Sequence, residues 1–319
     1  MRPRDWLLLV LLSVLWGSSF FFVAIGLRDF PPLTLVLARV GIASLVLVVL
    51  IYLLGYQLPN TPKDWRCFSV LALLNNIIPF SLIFIGQTII STALAAVLNA
   101  TTPLFTLILA RFVIGEPLHG HKFVGIGLGI AGVAVLTGPD LVAANRSSLL
   151  GAACVLAAAL SYGLSALWMR RLTHVPPLVA AGAQVSCSTI VLLPFAALID
   201  RFWELPVPTA SGILAVLGLA VLATALAYIV FFRISATAGP SNVMLVTLLI
   251  PVTATALATL LLGEQIASHQ VFGALAIATG LLVIDGRAPW TISTHARKGS
   301  RGDCRLSNDK ARDGSLRRR

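Results

Sequence analysis

Residues 103–116, PLFTLILARFVIGE, have a counterpart at residues 251–264, PVTATALATLLLGE. Working outward at the same interval of 148 positions, Gly125 falls on Gly273, and nearly every residue in the related segments is apolar. Secondary transporters are commonly built from a duplicated block of membrane helices, with the binding site where the two copies meet. The repeat therefore predicts two related halves inside a membrane.

The composition is that of a membrane protein. Hydrophobic residues make up 58% of the chain and charged residues 11%, whereas about 25% of the residues in a soluble domain are charged. A helix needs about 20 apolar residues to cross the hydrocarbon layer. Ten stretches are candidate spans: 5–26, 32–54, 66–86, 90–113, 120–138, 148–170, 178–199, 209–232, 240–262 and 269–285. We therefore predict an all-α polytopic membrane protein with ten transmembrane helices.

The distribution of Lys and Arg predicts the orientation. With the amino terminus in the cytoplasm, the inner loops hold ten Lys and Arg residues and the outer loops three, without the carboxyl-terminal tail. Short loops rich in Lys and Arg stay inside, so both termini are predicted to be cytoplasmic. Five helices per half is an odd number, so the second half must cross in the opposite sense. The repeat is therefore predicted to be inverted, with halves at 1–142 and 143–288.

The net charge of +11 is concentrated at the carboxyl terminus, where nine of the 23 Lys and Arg residues follow Thr294. This segment has few bulky apolar residues, so residues 289–319 are expected to form a disordered, cytoplasmic tail. A basic tail beside a membrane helix is attracted to anionic lipid. We therefore expect membrane lipid, and no nucleic acid, as its partner.

Patterns for catalysis and cofactor binding are missing from the sequence. The four cysteines are far apart, and no HExxH, GxSxG, phosphate-loop or intramembrane carboxylate-pair pattern occurs. Neither a metal nor another cofactor is therefore expected, and the chain is not expected to be an enzyme.

Several short motifs, taken together, resemble a known family. They are LWGSSF at 15–20, LAR at 37–39, ATALAY at 223–228 and the doubled stretch of the opening paragraph. Over roughly residues 6–286 the chain resembles the EamA-type proteins of the drug/metabolite transporter superfamily. The resemblance implies ten helices in two inverted five-helix repeats, a bacterial inner-membrane location and transport of small metabolites, commonly outward. It does not fix the substrate, because such families cover amino acids, nucleosides, sugars and drugs.

Arg39 is the strong base placed within a predicted span, about seven residues from its outer end. A charge at the centre of a span costs about 2.5–3.5 kcal/mol on insertion scales and usually faces a cavity or a partner. The side chain could anchor a carboxylate or phosphate, or it could snorkel outward to helix-end carbonyls. The nearest position in the second half holds Gln184, so the two halves are not chemically equivalent.

Aromatic and amide side chains complete the predicted substrate-binding set. Asn75 and Asn76 are the strongest neutral candidates, because a buried amide is costly unless it is hydrogen-bonded or wet. The aromatic candidates either line a cavity or pack against lipid and neighbouring helices. The full set is Trp16, Phe20, Arg39, Asn75, Asn76, Phe80, Asn99, Tyr162, Gln184 and Tyr228.

Two prolines and two glutamates are candidates for helix breaks or gating. Pro103 and Pro251 are expected to interrupt the fourth and ninth spans, either freeing backbone groups for substrate or producing a plain kink. Glu116 and Glu264 each precede a helix, whose positive amino terminus they are expected to stabilise, with gating or proton coupling as the alternative. No acidic residue lies near the middle of a span, which weakens the case for proton antiport and for cationic drugs.

Glycines recur along the fifth and tenth spans, where they form small-residue faces. Such faces suit close packing against the bundle or against a second protomer, as a homodimer.

These features favour a secondary transporter that exports a small metabolite, such as an amino acid, by alternating access. The alternative is a multidrug or lipid-linked substrate exporter or flippase. A gated channel or an integral-membrane enzyme fits less well, because rings of repeated polar residues and catalytic motifs are missing. Since no ATP-binding motif occurs, the energy must come from a gradient or from an exchanged solute.

Overall fold

The protein is a bundle of helices, seen in a computed structural model that describes residues 3–115, 120–143, 145–238 and 246–284. No strand occurs among these residues. Their helices are α1 Pro3–Gly26, α2 Pro32–Leu53, α3 Pro62–Gln87, α4 Thr92–Ile114, α5 Gly120–Val142, α6 Arg146–Leu172, α7 Pro177–Asp200, α8 210–238, α9 Val246–Leu262 and α10 Ser268–Ile284. Glu116 and the basic tail at 289–319 lie outside the described residues.

Eight of these helices, α1 to α8, contain segments long and apolar enough to cross a membrane. They correspond to the first eight predicted spans, with ends that differ by a few residues. The helices α9 and α10 are equally apolar but have 17 residues each, which is at the short limit for a span.

Turn residues set the helix ends. Proline occupies the first turn of α2, α3 and α7, where its missing N–H costs nothing. The side chains of Ser91 and Thr209 accept hydrogen bonds from backbone N–H groups at the start of α4 and α8. At the other end of α4 and of α9, Gly115 and Gly263 adopt left-handed backbone angles, φ 70° and 71°. These two glycines are 148 positions apart, so the repeat extends to helix termination.

Helix neighbours follow a reciprocal pattern. The helix α1 packs against α8 and α9, and α6 packs against α3 and α4. The helix α2 contacts α7 and α8, α3 also contacts α7, and α5 contacts α10. These contacts remain the same set when α1–α5 are exchanged for α6–α10.

The helices α5 and α10 pack together through glycines. A methyl group on Gly125 would lie 2.6 Å from the carbonyl oxygen of Gly280, and one on Gly132 would lie 2.8 Å from that of Gly273. The earlier glycine of α5 thus meets the later glycine of α10, so the two helices run antiparallel. The small-residue faces therefore pack within the bundle, and the homodimer stays a prediction.

Carboxylates at one end of the bundle hold the amino termini of helices from the other half. We call this end, where α1 finishes and α2 begins, the Asp29 end. Asp29 accepts hydrogen bonds from Thr209, the N-cap residue of α8, through its backbone N–H at 2.9 Å and its hydroxyl. Asp200 accepts from the backbone N–H and hydroxyl of Thr34 in α2, at 2.7 and 2.8 Å. Each carboxylate is attracted by the positive end of the helix that it caps.

Glu264 belongs to the same set and corrects one expectation. Its two carboxylate oxygens accept the backbone N–H groups of Thr92 and Ala93 at 2.9 and 3.1 Å. It therefore caps α4, and not α10, the helix that it precedes in the sequence. The reason is that α4 begins beside the loop between α9 and α10 at the Asp29 end. At the opposite end, which we call the Asp64 end, Asp64 lies 3.1 Å from His174.

We expect Gly132→Ala to destabilise the bundle by about 1–3 kcal/mol, because overpacking a close contact forces the backbone to shift. The added methyl group would meet backbone atoms of Gly273 and Ile277 at 2.8 and 2.9 Å. The measurement is thermal unfolding of the purified protein in detergent. Gly127→Ala is the matched control on the same helix, since nothing lies within 4 Å of that site. Equal melting temperatures for the two variants would contradict this packing.

Candidate functional site

Arg39 lies in the interior of the bundle, where its side chain meets α3 and α8. Its side chain is 6% exposed. The guanidinium Nε donates a hydrogen bond of 3.0 Å to Thr224 Oγ1 on α8. The guanidinium carbon also lies 3.9 Å from the centroid of the Phe80 ring on α3, a cation–π distance. The charge is therefore directed into the centre of the bundle and away from the helix ends.

Within the described part of the chain, Arg39 has no ion-pair partner. The ion pairs found there join Asp64 to His174 and Arg201 to Glu204, at the bundle ends. Tyr162 and Tyr228 are close enough to interact electrostatically with the guanidinium, but both are neutral phenols. A buried cation surrounded by a hydroxyl and aromatic rings has spare hydrogen-bond donors, because a guanidinium carries five N–H groups.

Beside Arg39, a chain of neutral hydrogen bonds connects four helices. Gln184 Nε2 on α7 donates to the Tyr228 hydroxyl on α8 at 3.2 Å, and Asn75 Nδ2 on α3 donates to Gln184 Oε1 at 3.2 Å. Ser165 Oγ on α6 donates to Asn75 Oδ1 at 2.9 Å. These amides and hydroxyls can each donate or accept, so the chain can reorganise around a polar solute.

Asn76 forms a second polar contact one residue further along α3. It is fully buried, and its Nδ2 donates to Ser188 Oγ on α7 at 2.9 Å. Its Oδ1 is buried and accepts no hydrogen bond from the described residues. A buried acceptor without a donor is costly and normally calls for water or a ligand group.

Two π-helical segments position these side chains. The segment Leu73–Ile77 carries Asn75 and Asn76 in α3, and the segment Gly218–Leu226 carries Thr224 in α8. At the repeat interval of 148, Thr224 is the counterpart of Asn76. Such wide turns are frequent at functional sites, because they leave backbone carbonyls available to side chains. Thr224 Oγ1, for example, donates to the carbonyl of Leu219 at 2.8 Å.

Six of the ten predicted binding residues therefore surround one centre. The residues are Arg39, Asn75, Phe80, Tyr162, Gln184 and Tyr228. Asn76 is connected to them through Ser188, whose hydroxyl accepts from Asn76 and donates to the backbone carbonyl of Gln184. We call this set, together with Thr224 and Ser165, the Arg39 cluster.

The remaining predicted aromatic and amide residues are not members of the Arg39 cluster, although Trp16 and Phe20 belong to the same apolar core as Phe80. Trp16 is half-buried and packs against Phe231, with ring centroids 5.6 Å apart. Phe20 is buried in the apolar core. Asn99 stands at the end of the first half of α4, where its buried Oδ1 accepts no hydrogen bond from the described residues. No described hydrogen bond or ring contact joins these three residues to Arg39.

The two prolines behave differently. The helix α4 is interrupted between Asn99 and Thr102, and Pro103 starts its second half. Pro251, in contrast, lies inside the continuous helix α9, so the helix is not broken there and the alternative of a plain kink stays a prediction. A proline in a helix interior removes one hydrogen bond, and neighbouring helices can compensate for the loss. Near Pro251, Thr253 Oγ1 donates to the carbonyls of Ser13 on α1 and Ile250.

Three contributors to the polar site were missed by sequence reasoning: Thr224, Ser165 and Ser188. Single hydroxyl residues in an apolar span usually bond to their own helix, so they carry little signal. The repeat could have indicated Thr224, because this residue is the counterpart of Asn76 at the interval of 148 positions.

Two cavities lie at opposite ends of the bundle. One, of about 360 Å³, is at the Asp29 end between the end of α3 and the starts of α6 and α10. The other, of about 290 Å³, is at the Asp64 end between α1 and α8. Neither is lined by a residue of the Arg39 cluster, so these cavities do not open onto it in this conformation.

Several proteins with similar sequences are named as transporters or efflux pumps. The profile of the EamA-like transporter family matches twice, over residues 5–138 and 149–285. The chain is 29% identical to a probable amino-acid metabolite efflux pump of Escherichia coli over 299 residues, covering 89% of this chain and 95% of that protein. It is 28% identical to an uncharacterized inner membrane transporter, YedA, of the same species, with 86% and 88% covered.

A third bacterial relative is also named as a transporter, and a solved structure has a similar fold. An uncharacterized transporter of Bacillus subtilis, YoaV, is 22% identical over 280 residues, covering 86% of this chain and 94% of that protein. A crystal structure with 20% sequence identity has a TM-score of 0.62 and covers 89% of this chain and 96% of its own. At 20% identity, this structural similarity establishes the fold alone. The family resemblance is confirmed, and the chain belongs to the EamA-like transporter family.

Proposed function

We propose that this protein is a secondary active transporter of the bacterial inner membrane that exports small metabolites bearing a carboxylate or phosphate, amino-acid-like solutes in particular. The observation that carries the proposal is the buried guanidinium of Arg39, which has no acidic partner among the described residues. A charge held at such depth usually marks a substrate path. The relative named as an amino-acid metabolite efflux pump supports the same substrate class.

The neutral part of the Arg39 cluster suits the rest of such a solute. Asn75, Gln184 and Tyr228 offer donors and acceptors that can bind an ammonium, hydroxyl or amide group. The ring of Phe80 covers one face of the guanidinium, so a carboxylate would approach from another side. Bidentate pairing of arginine with a carboxylate would then fix the orientation of the solute.

We further propose ten spans arranged as two inverted five-helix repeats, 1–142 and 143–288, with both termini in the cytoplasm. Three observations support this topology: the reciprocal helix contacts, the antiparallel glycine packing of α5 and α10, and the two matches to the family profile. The excess of Lys and Arg in the predicted inner loops supports the orientation. In this topology the Asp29 end faces outward and the Asp64 end faces the cytoplasm.

Alternating access would proceed by rocking one repeat against the other. At the Asp29 end, Asp29, Asp200 and Glu264 each hold a helix start in the opposite half. These contacts tie the outer ends of the two repeats together, so they must separate when the site opens outward. Glu264 thereby combines helix capping with the gating role that was the alternative for it.

A multidrug or lipid-linked substrate exporter is the second candidate. The match to a broad transporter family supports it, because the family alone does not restrict the substrate. The Arg39 cluster argues against cationic drugs, since a buried cation repels them and none of its members is acidic. A phosphate-bearing lipid-linked solute would satisfy the same arginine.

Substitution of Arg39 tests the proposed function. We expect Arg39→Ala to lower transport of an anionic or zwitterionic solute about 100-fold, because losing a buried charge pair costs about 3 kcal/mol. Arg39→Lys keeps the charge without the planar fork and should give an intermediate loss of about tenfold. The measurement is counterflow into proteoliposomes with labelled amino acids, nucleosides, sugars and cationic dyes.

The matched control is Arg111→Ala, which removes an exposed positive charge from the end of α4. It should transport like the wild type, and all variants should insert into the membrane equally. Wild-type transport by Arg39→Ala would remove Arg39 from the site. Uptake of the dyes alone would instead favour the multidrug alternative.

Labelling of single cysteines tests the inverted topology. In a background in which Cys67, Cys154, Cys187 and Cys304 are replaced by serine, we introduce one thiol at Asn60 or at Ser147. A membrane-impermeant maleimide added to intact spheroplasts should label Ser147→Cys and leave Asn60→Cys unmodified until the membrane is opened. Labelling of both positions from the same side would contradict the inverted repeat.

A further inference from the structure

The cavity at the Asp64 end has a basic lining. Its volume is about 290 Å³, and Arg4, Asp5 and Leu8 of α1 face Arg233 and Thr237 of α8 across it. Both arginines are exposed, and within the described residues neither forms an ion pair. Asp5 is 6% exposed, and its Oδ1 accepts a hydrogen bond of 3.1 Å from Thr237 Oγ1. Two cations and one buried anion leave the cavity with a net positive charge.

The cavity at the Asp29 end occupies a related place but has different chemistry. It includes Ile89, which is the counterpart of Thr237 at the repeat interval of 148. Its lining contains Ser91, Asn145 and His269 and no Lys or Arg. The paired arginines are therefore specific to one end of the bundle and do not follow from the duplicated fold.

Apolar surface extends from each arginine towards the middle of the bundle. On α1, Leu7 and Leu11 continue the face of Arg4 at helical spacing and are 71% and 41% exposed. On α8, Ile229 and Leu226 continue the face of Arg233 and are 39% and 37% exposed. A small anion in solution would make no contact with this apolar surface, whereas the acyl chains of a lipid would cover it.

We propose that this cavity binds the headgroup of an anionic phospholipid, with the phosphate between Arg4 and Arg233 and the acyl chains along the exposed apolar faces of α1 and α8. Guanidinium groups pair with phosphate oxygens through two parallel hydrogen bonds. Basic pockets between helices on the cytoplasmic side are suited to anionic headgroups. The assignment to the inner leaflet rests on the proposed orientation, whereas the binding itself does not.

Lipid titration of the full-length protein in a neutral detergent tests the proposal. The probes are dioleoylphosphatidylglycerol, dioleoylphosphatidylcholine and inorganic phosphate, and the readouts are bound lipid by native mass spectrometry and the shift in melting temperature. We expect phosphatidylglycerol to bind and stabilise the wild type at concentrations at which the other two have no effect. Equal effects of the two lipids would overturn the proposal. Competition by inorganic phosphate at equal concentration would indicate a site for a free anion instead.

Charge-removing variants locate the lipid. Arg4→Gln and Arg233→Gln should each weaken phosphatidylglycerol binding about fivefold, and the double variant about thirtyfold. Each basic residue near an anionic lipid surface raises the binding affinity about fivefold. Arg111→Gln removes a charge from the same end outside the cavity and should bind like the wild type. An equal loss in Arg111→Gln would contradict a defined site. The single variants decide the question if the double variant does not fold.

This test is independent of transport. Lipid binding in detergent requires neither a substrate nor the proposed orientation. If the Arg39 variants transported normally, the lipid-binding proposal would therefore be unaffected. Absence of lipid binding would likewise leave the role of Arg39 untouched.

Discussion

Arg39 holds a positive charge that is buried among the apolar helices and has no acidic partner in the part of the chain that the structure describes. Arg39 is 6% exposed, and its described contacts are a threonine hydroxyl at 3.0 Å and an aromatic face at 3.9 Å. Removing a guanidinium from water costs several kcal/mol unless hydrogen bonds and opposite charge compensate. The contacts seen here supply part of that compensation. In the proposed function an anionic solute would supply more, and its release would require the surrounding helices to separate.

Different helices around Arg39 have different structural roles. The helices α5 and α10 contact each other through glycines and lie away from the Arg39 cluster, which suits a scaffold. The helices α2, α3, α7 and α8 meet at the centre, and two of them contain π-helical segments at related positions. Asp29, Asp200 and Glu264 stand at helix ends, where each caps a helix of the opposite half. A positive charge thus lies in the interior of the bundle, while three carboxylates join the two halves at the Asp29 end.

The sequence predicted much of the fold because membrane spans are encoded locally, as long apolar runs with Lys and Arg on one side. It also pointed to Arg39, Asn75, Gln184 and Tyr228 as binding candidates, because polar side chains stand out in apolar runs. The structure places these four side chains close together. The sequence could not give the partner of Glu264, since the helix capped by this carboxylate depends on which helix start lies beside the loop. It could not decide between a break and a kink at Pro251, because a proline ring perturbs a helix without always ending it, and the structure shows a continuous helix there. Thr224 escaped notice because a lone threonine in a span normally bonds to its own backbone.

The central claim is that Arg39 recognises a negative charge on the transported solute. The most direct measurement is the equilibrium dissociation constant of the purified protein for a transported amino acid and for its carboxamide, which has the same shape without the carboxylate. If Arg39 recognises this charge, the wild type should bind the carboxylate form about 100-fold more tightly, a difference of about 3 kcal/mol, and Arg39→Gln should bind both forms equally. An undiminished preference for the carboxylate in Arg39→Gln would contradict it.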